Sequence, residues 1–518
     1  MTEPLIFIDL KTTGSKEFED EIIEFGAARL DAGKITERFS ELARADGPLP
    51  LHVTKRTGIT DEDLRGKPKS RTVLGDFMDF IGKGAVVAHD AKLKEKFLAE
   101  KTRRQFHNKV IDTLELARVV LPTIESHDLD TLARRFQLPT SAPRRACAEA
   151  ELTAAVWGHL MAELDGLSFA VISEINRLLV NTVHPLREIF LEAEKRITAK
   201  SYGTKKRVIE DIFRNYSEII DRKDEPEPPE RIKPLDTGKV CSLFDTGGLF
   251  ARTLPGYERR PEQLRMVKAV CEAFNTSTHL MVEAGTGTGK SMAYLVPAIH
   301  WANTNREKVI VSTNTKNLQA QLFFKDLPFL QETLDVGCKP ALIKGRTNYL
   351  CVRKFLYLLR QADRELADDE RVAMLPILTW AEMTDTGDIG ENTGFFATPS
   401  AGLWGKLSTT GDECLARSCR NFYRCFVRKA RGLALSADLV IANHAVVFSE
   451  VGIDSPVLPE YRHIIFDEAH NIENVATEHF GVRLNAVEVF RATNRLFRPR
   501  RDKAGTGLLA NLLFQISR

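Results

Sequence analysis

The chain has 518 residues, 43% of them hydrophobic and 28% charged, which excludes wholesale disorder and allows three to four domains at roughly 150 residues each. Lys plus Arg is 73 and Asp plus Glu is 71, so a net charge of +2 supplies no global field for a polyanion, and any nucleic-acid site must be a local patch. There is no run of about 18 apolar residues, no basic and apolar leader after Met1, and too few cysteines (eight) for a disulfide scaffold, so a soluble, cytoplasmic protein with no membrane partner is expected.

In chain order, residues 5–9 are a short β-forming run ending in an acid, and helical and strand patterns then alternate to about residue 162, as in an α/β domain. Residues 165–222 read as amphipathic helix, with Ile172, Ile175, Leu178 and Leu179 on one face. The charged, Pro-rich run 223–230 reads as a linker. A second α/β pattern begins near residue 255. It is interrupted between about 350 and 430 by a stretch holding four cysteines, and resumes with strands near 438–442 and 463–467. The expected domains are therefore 1–163, a helical connector at 164–236, and 237–518 with the cysteine region at about 345–432.

The first domain contains Phe7-Ile-Asp9-Leu-Lys-Thr-Thr-Gly14, Thr57-Gly-Ile-Thr-Asp-Glu-Asp-Leu64, His89-Asp-Ala-Lys-Leu-Lys-Glu-Lys-Phe-Leu98 and Asp112-Thr-Leu-Glu-Leu-Ala-Arg118. With these motifs it resembles the DnaQ-like 3′→5′ exonucleases of the DEDDh type. The resemblance implies a ribonuclease H-like fold and four carboxylates that hold two divalent metals, with a His as general base. Only Asp9 matches that set. Lys11 and Lys94 stand where the family has acids, Glu149 stands at the third Asp, and Arg144 stands where the His would be. A unit charge pair at 4 Å is worth about 4 kcal/mol in a surface-like dielectric, so two ammonium groups oppose two metal ions. Arg144 stays protonated and cannot take a proton from water. The expectation is a pseudo-exonuclease in which Lys11 and Lys94 pair with Asp9 and Glu149. A rescue by Asp90 or Glu95 is disfavoured, because neighbours on a helix point about 100° apart. His89 is expected to pack or cap at a strand end.

Residues 280–291 read Leu-Met-Val-Glu-Ala-Gly-Thr-Gly-Thr-Gly-Lys-Ser, a phosphate-binding loop with Ala284 in place of the usual first Gly. A short apolar strand is expected to run into Gly285, Thr286, Gly287, Thr288 and Gly289, followed by a helix. Glycines let backbone N–H groups face phosphate oxygens, and the helix N-terminus adds partial positive charge. Lys290 would contact the β and γ phosphates of ATP and Ser291 would ligate Mg²⁺. In Ile464-Ile-Phe-Asp467-Glu468-Ala-His470, Asp467 would hold Mg²⁺ and Glu468 would orient and deprotonate the attacking water.

Cys351, Cys414, Cys419 and Cys425 follow at spacings of 63, 5 and 6. Four thiolates suit Zn²⁺ or an iron–sulfur cluster, and the absence of paired C-x2-C knuckles favours the larger group; four unrelated thiols and zinc are the alternatives. Arg353, Lys354, Arg417, Arg420, Arg424, Arg428, Lys429 and Arg431, with Phe422 and Tyr423 between them, suit a nucleic-acid backbone with stacking. Cys147, Cys241, Cys271 and Cys338 read as apolar fillers. The run Arg495, Arg498, Arg500, Arg501 and Lys503 reads as loop.

Residues 240–518 hold Tyr257-Glu-Arg-Arg260-Pro-Glu-Gln263, the phosphate loop, Ser312-Thr-Asn-Thr-Lys-Asn-Leu-Gln-Ala-Gln321, Lys344-Gly-Arg-Thr-Asn-Tyr-Leu-Cys351, the three clustered cysteines, Asn443-His444 and Asp467 to His470. On these motifs the stretch resembles the DinG-like helicases, iron–sulfur relatives of the XPD helicases. It implies a RecA-like P-loop motor with an inserted helical iron–sulfur region. It also implies ATP-driven 5′→3′ unwinding of DNA with single-stranded tails, linked to repair or replication, and a [4Fe–4S] cofactor. Arg260 and Gln263 would read the adenine, and residues 312–321 would grip single-stranded DNA. Such motors use a second RecA-like domain carrying an arginine finger, worth about 10³–10⁵ in rate. No match to it follows His470, so the expectation is ATP and DNA binding with slow turnover, the second motor being sought on another chain. Two other functions compete: a 3′→5′ exonuclease acting on DNA ends, and a non-catalytic, ATP-gated single-strand-binding protein.

Overall fold

The computed structural model describes residues 4–140, 143–200, 208–221, 231–398, 402–449, 458–481, 486–500 and 503–517; the run 223–230 lies outside the described residues. Two compact units form: Met1–Phe213 with Leu358–Thr384 and Asp388–Trp404, and Arg214–Tyr357 with Asp385–Gly387 and Gly405–Arg518.

The first unit is built on a five-stranded sheet in the order β3-β2-β1-β4-β5. Its strands are β1 (Leu5–Thr12), β2 (Ile22–Asp31), β3 (Lys34–Leu42), β4 (Val86–Ala88) and β5 (Val110–Asp112). β1, β2 and β3 are antiparallel neighbours, while β4 and β5 run parallel to β1. β1 lies in the middle and is covered on both faces, which is why Ile6, Phe7, Ile8 and Leu10 form a continuous apolar run rather than an alternating one. Helix Ala146–Asp165 lies across β1 and β2. It comes so close at Gly26 that a Cβ there would sit 2.2 Å from the Ala146 carbonyl carbon and the Cys147 nitrogen. That approach puts the first turn of the helix beside the Asp9 end of β1.

The single amphipathic helix expected over 165–222 is instead several pieces: Phe169–Leu179, Arg187–Lys200 and two short turns, Ile209–Ile212 and Ser217–Ile220. The first of these helices ends at Leu179 and the next begins at Arg187, with Pro185, which has no N–H to donate, in the non-helical stretch between them. Ile172, Ile175, Leu178 and Leu179 are buried as one face, as the periodicity predicts.

The second unit holds a parallel sheet in the order β7-β8-β6-β9, made of β6 (Val309–Thr313), β7 (Pro340–Leu342), β8 (Leu439–Asn443) and β9 (His463–Phe466). Helix Lys290–Asn305 packs Tyr294, Leu295, Val296 and Trp301 into the core with Phe244, Phe250 and Phe274. The strand expected before the phosphate loop is absent: residues 280–284 carry no strand pairing, and Leu280, Met281 and Val282 are exposed. A parallel strand takes its hydrogen bonds only from neighbouring strands. Among the described residues, β9 pairs with β6 alone, so its other edge has no partner. The basic run expected as loop is partly regular: β10 (Arg498–Arg500) pairs antiparallel with β11 (Lys503–Thr506), and Arg501 lies outside the described residues. No single described helix is long and apolar enough to cross a membrane.

Candidate functional site

Three arrangements carry the chemistry. In the first unit, Asp9 and Lys11 are two apart on β1 and share a face. Glu149 comes from the first turn of helix Ala146–Asp165 and Lys94 from helix Ala91–Lys101. The Lys11 Nζ stands 2.6 Å from Asp9 Oδ2 and 2.6 Å from Glu149 Oε2, and the Lys94 Nζ 3.1 Å from Asp9 Oδ1. Arg144 Nε lies 3.4 Å from Glu149 Oε1, and its Nη2 is paired with Asp130. Burial pushes the Asp9 carboxyl up, but Lys94 and Lys11 outweigh it and hold it below the usual range. Burial likewise opposes the Lys11 ammonium, and Asp9 with Glu149 more than restores it. Asp90 and Glu95 are exposed and take no part in this network. His89 packs, its Nδ1 3.0 Å from Thr113 Oγ1, and burial pushes it down to about 4. Asp112 caps helix Thr113–Val120 and is pushed up to about 6 by burial. Asp130 carried no signal in the sequence; it is found only because the fold brings it to Arg144.

In the second unit, the phosphate loop turns through Gly287 and Gly289, both at φ +80°, a region closed to most side chains. Gly289 caps helix Lys290–Asn305, so the helix N-terminus faces the loop. Thr288 Oγ1 donates to the Gly285 carbonyl at 2.9 Å. Lys290 Nζ lies 3.3 Å from the Ala284 carbonyl and 3.4 Å from Glu468 Oε1, which brings the two nucleotide motifs to one place. Asp467 follows β9 and its N–H donates to the Ser312 carbonyl at 2.7 Å. Burial, then Glu468, pushes the Asp467 carboxyl up. Tyr294 packs within reach of both Ser291 and Asp467, a neighbour that its apolar helix context hid. Arg260 donates to the Gly287 carbonyl and Gln263 Nε2 to the Gly289 carbonyl at 3.0 Å, so both side chains hold the loop. In the segment 312–321, Ser312 Oγ meets His444 Nδ1 at 2.7 Å and Gln319 donates to the Ile343 carbonyl at 3.3 Å; all three side chains are buried. These three are committed to the interior rather than presented to a strand.

The third arrangement is a cavity of ≈ 40 Å³ whose lining includes Cys351, Cys414, Cys419 and Cys425 with Phe422 and Arg428. All four thiols are free, and burial pushes Cys351 and Cys425 up. Among the described residues no three Cys, His, Asp or Glu side chains are already gathered for a metal. The cysteines therefore share a cavity without forming a finished cage, and four soft donors around one space fit a thiolate-bound group. Of the surrounding cations, Lys354 and Arg353 are bound to Glu413, at 2.6 Å to its carboxylate and 3.0 Å to its carbonyl. Lys429 lies over the Tyr216 ring and Arg428 over Phe422. Arg417 and Arg420 are exposed. Glu413, held down to about 2 first by hydrogen bonds from Lys354 and Arg495, has no sequence signature. Cys271 and Cys338 are buried fillers, both pushed up to about 12 by burial, while Cys147 and Cys241 are half-buried.

Residues 6–157 match the exonuclease family, and residues 260–355 match the DEAD/DEAH box helicase family. The chain is 29% identical over 507 residues to the 3′-5′ exonuclease DinG of Bacillus subtilis (strain 168), covering 95% of this chain and 52% of the relative. It is 36% identical over 257 residues to the ATP-dependent DNA helicase YoaA of Haemophilus influenzae, covering 49% of this chain and 39% of the relative. The chain thus spans about half, or less, of the length of these curated relatives. The solved structure of exonuclease X in complex with 5′ overhanging duplex DNA aligns with 30% of this chain and 91% of its own, at 25% identity and a TM-score of 0.26.

Proposed function

We propose that this DinG-like chain, with an exonuclease-family domain ahead of a DEAD/DEAH box helicase-family domain, carries in its second unit the ATP-binding motor of a 5′→3′ DNA helicase, the iron–sulfur region being sought at about 345–432, of which Leu358–Thr384 and Asp388–Trp404 fold with the first unit. One observation carries the reading: Lys290 and Glu468, far apart in sequence, meet at 3.4 Å across the mouth of the glycine loop. The loop N–H groups and the Lys290–Asn305 helix terminus would receive the phosphates. Lys290 would leave Glu468 to neutralise them, and Arg260 and Gln263 keep the loop in shape. Ser291 and Asp467 would hold Mg²⁺, which supplies charge neutralisation at the phosphates. Glu468, released by Lys290, would orient water and accept its proton. Cys351, Cys414, Cys419 and Cys425 would hold a [4Fe–4S] cluster beside the basic, aromatic surface that meets single-stranded DNA. Titration calorimetry with ATP and Mg²⁺ tests the first step: the parent binds, and Lys290→Ala loses binding by tenfold or more. Equal binding by both would overturn the reading.

The first unit, in the same reading, binds no catalytic metal pair and does not cut DNA. Lys11 and Lys94 already neutralise Asp9 and Glu149 at the places two cations would occupy, and Arg144 offers no base. With a 3′-labelled single strand and Mg²⁺ or Mn²⁺, no digestion is expected; digestion lost on Asp9→Ala would show that the nuclease is alive.

A further inference from the structure

Two long stretches between Cys351 and Cys414 do not stay with the cysteines that bracket them. Both cysteines belong to the second unit, yet Leu358–Thr384 and Asp388–Trp404 belong to the first. Helix Leu375–Met383 packs on Thr113–Val120, the helix after β5, and on Phe169–Leu179. Leu375, Ile377, Leu378 and Trp380 are fully buried there. Helix Thr393–Phe396 is stitched to the chain after Thr113–Val120. Thr393 Oγ1 donates to the carbonyls of Pro122 (3.1 Å) and Ile124 (2.6 Å), and the Gly394 N–H donates to Pro122 at 3.1 Å. A Cβ on Gly394 would stand 2.4 Å from the Arg118 carbonyl oxygen, so the approach requires glycine. At the start of the excursion, Arg177 donates to the Leu359 carbonyl at 2.7 Å and Arg360 pairs with Glu210 at 2.8 Å.

We infer that the exonuclease unit, in which Lys11 and Lys94 occupy two of the four carboxylate positions, serves as the foundation on which the Cys351–Cys414 excursion folds, and that it thereby holds the two ends of that excursion ready for the cysteine cavity. The physical need is plain. A flexible loop of this length closes at an entropic cost, and ordering each residue costs about 1–2 kcal/mol more. Trp380 bonds Glu391 within the excursion, but its helix packs most on Thr113–Val120 and Phe169–Leu179, so a preformed apolar surface offsets that cost as the four thiols converge. Helix Thr113–Val120 belongs to the exonuclease sheet's own architecture, and it supplies that surface. The inference rests on the iron–sulfur reading only in treating the four thiols as ligands; the dependence of their gathering on the first unit is separate.

The test uses the full chain. Trp380→Ala and Gly394→Leu disrupt the packing, Trp380→Phe retains it, and Arg38→Ala perturbs an exposed pair of the same unit elsewhere. Three readouts are taken: hydrogen exchange over 375–396 and β1–β3, the rate of thiol labelling by a disulfide reagent in metal-free protein, and iron per chain after anaerobic reconstitution. Trp380→Ala and Gly394→Leu are expected to deprotect 375–396 while β1–β3 stay protected. They should also speed labelling of Cys351 and Cys414 at least threefold and halve iron uptake or worse, with Trp380→Phe and Arg38→Ala like the parent. Deprotection of 375–396 with unchanged labelling would overturn the inference. Faster labelling in these variants, with a parent that takes up no iron, would leave the foundation standing and remove the iron–sulfur reading. If Gly394→Leu does not fold, the Trp380 pair decides alone.

Discussion

At the scale of single residues, the Asp9–Lys11–Glu149–Lys94 network is the feature with the largest energetic stake. Its members are buried or nearly so, and each charge is stable only because an opposite one stands within about 3 Å. Removing Lys11 leaves the buried Asp9 with Lys94 alone and Glu149 with Arg144 alone, so Lys11→Met should destabilise the first unit by about 3 kcal/mol, read by denaturant unfolding. The pH dependence follows from the directions. Asp9 is lowered in the folded state, so its contribution is complete above an unfolded carboxylate value near about 4 and is lost as pH falls through the folded value. Lys11 is raised, so its contribution is complete below about 10 and is lost as pH rises through its folded value. The difference between parent and Lys11→Met should be flat from about pH 5 to 9 and shrink on both sides. This site was largely legible: matching the chain to the exonuclease motifs placed Asp9, Lys11, Lys94, Arg144 and Glu149 together, because motif spacing reflects which strand and helix ends a fold brings together. Asp130 was not legible, since a salt-bridge partner for an arginine follows no local pattern.

At the scale of elements, the phosphate loop and the stretch ahead of it behave differently. Gly287, Gly289 and the Lys290–Asn305 helix have local reasons for their conformation: positive φ, an apolar helix face and a glycine N-cap. The apolar run 280–284 has no such reason, because a strand's hydrogen bonds belong to its neighbours. Hydrogen exchange should therefore show fast amides at 280–284 and slow ones in β6, which is paired on both sides. Equal protection of the two would mean that residues 280–284 have found a strand partner. The same contrast appears at 165–222, where the apolar period names the buried face of Phe169–Leu179 but does not set where the helices end.

At the scale of the whole molecule, charge is balanced and attraction to DNA must be local. Of the cations around the cysteines, Lys354 and Arg353 are bound to Glu413, leaving Arg417 and Arg420 exposed to meet phosphate. Every arginine–phosphate pairing that is given up reduces the slope of log binding constant against log salt by about 0.7 for a single strand. Replacing both, Arg417→Ala with Arg420→Ala, should thus weaken single-strand binding and flatten its salt dependence by about 1.4; an unchanged slope would exclude this surface. The sequence by itself determined the two α/β halves, the glycine loop with Lys290, the acids at 467 and 468, the four cysteines and the lysines at positions 11 and 94. These are signals of residue type at short spacing, and such signals survive without coordinates. Only the tertiary structure decided that Leu358–Thr384 and residues 388–398 pack with the exonuclease unit rather than with the cysteines, that Lys290 closes on Glu468, and that the run 280–284 is left unpaired. Those outcomes depend on which surfaces are free to be buried and which strand edges are free to be paired, and neither is written in any one stretch of chain.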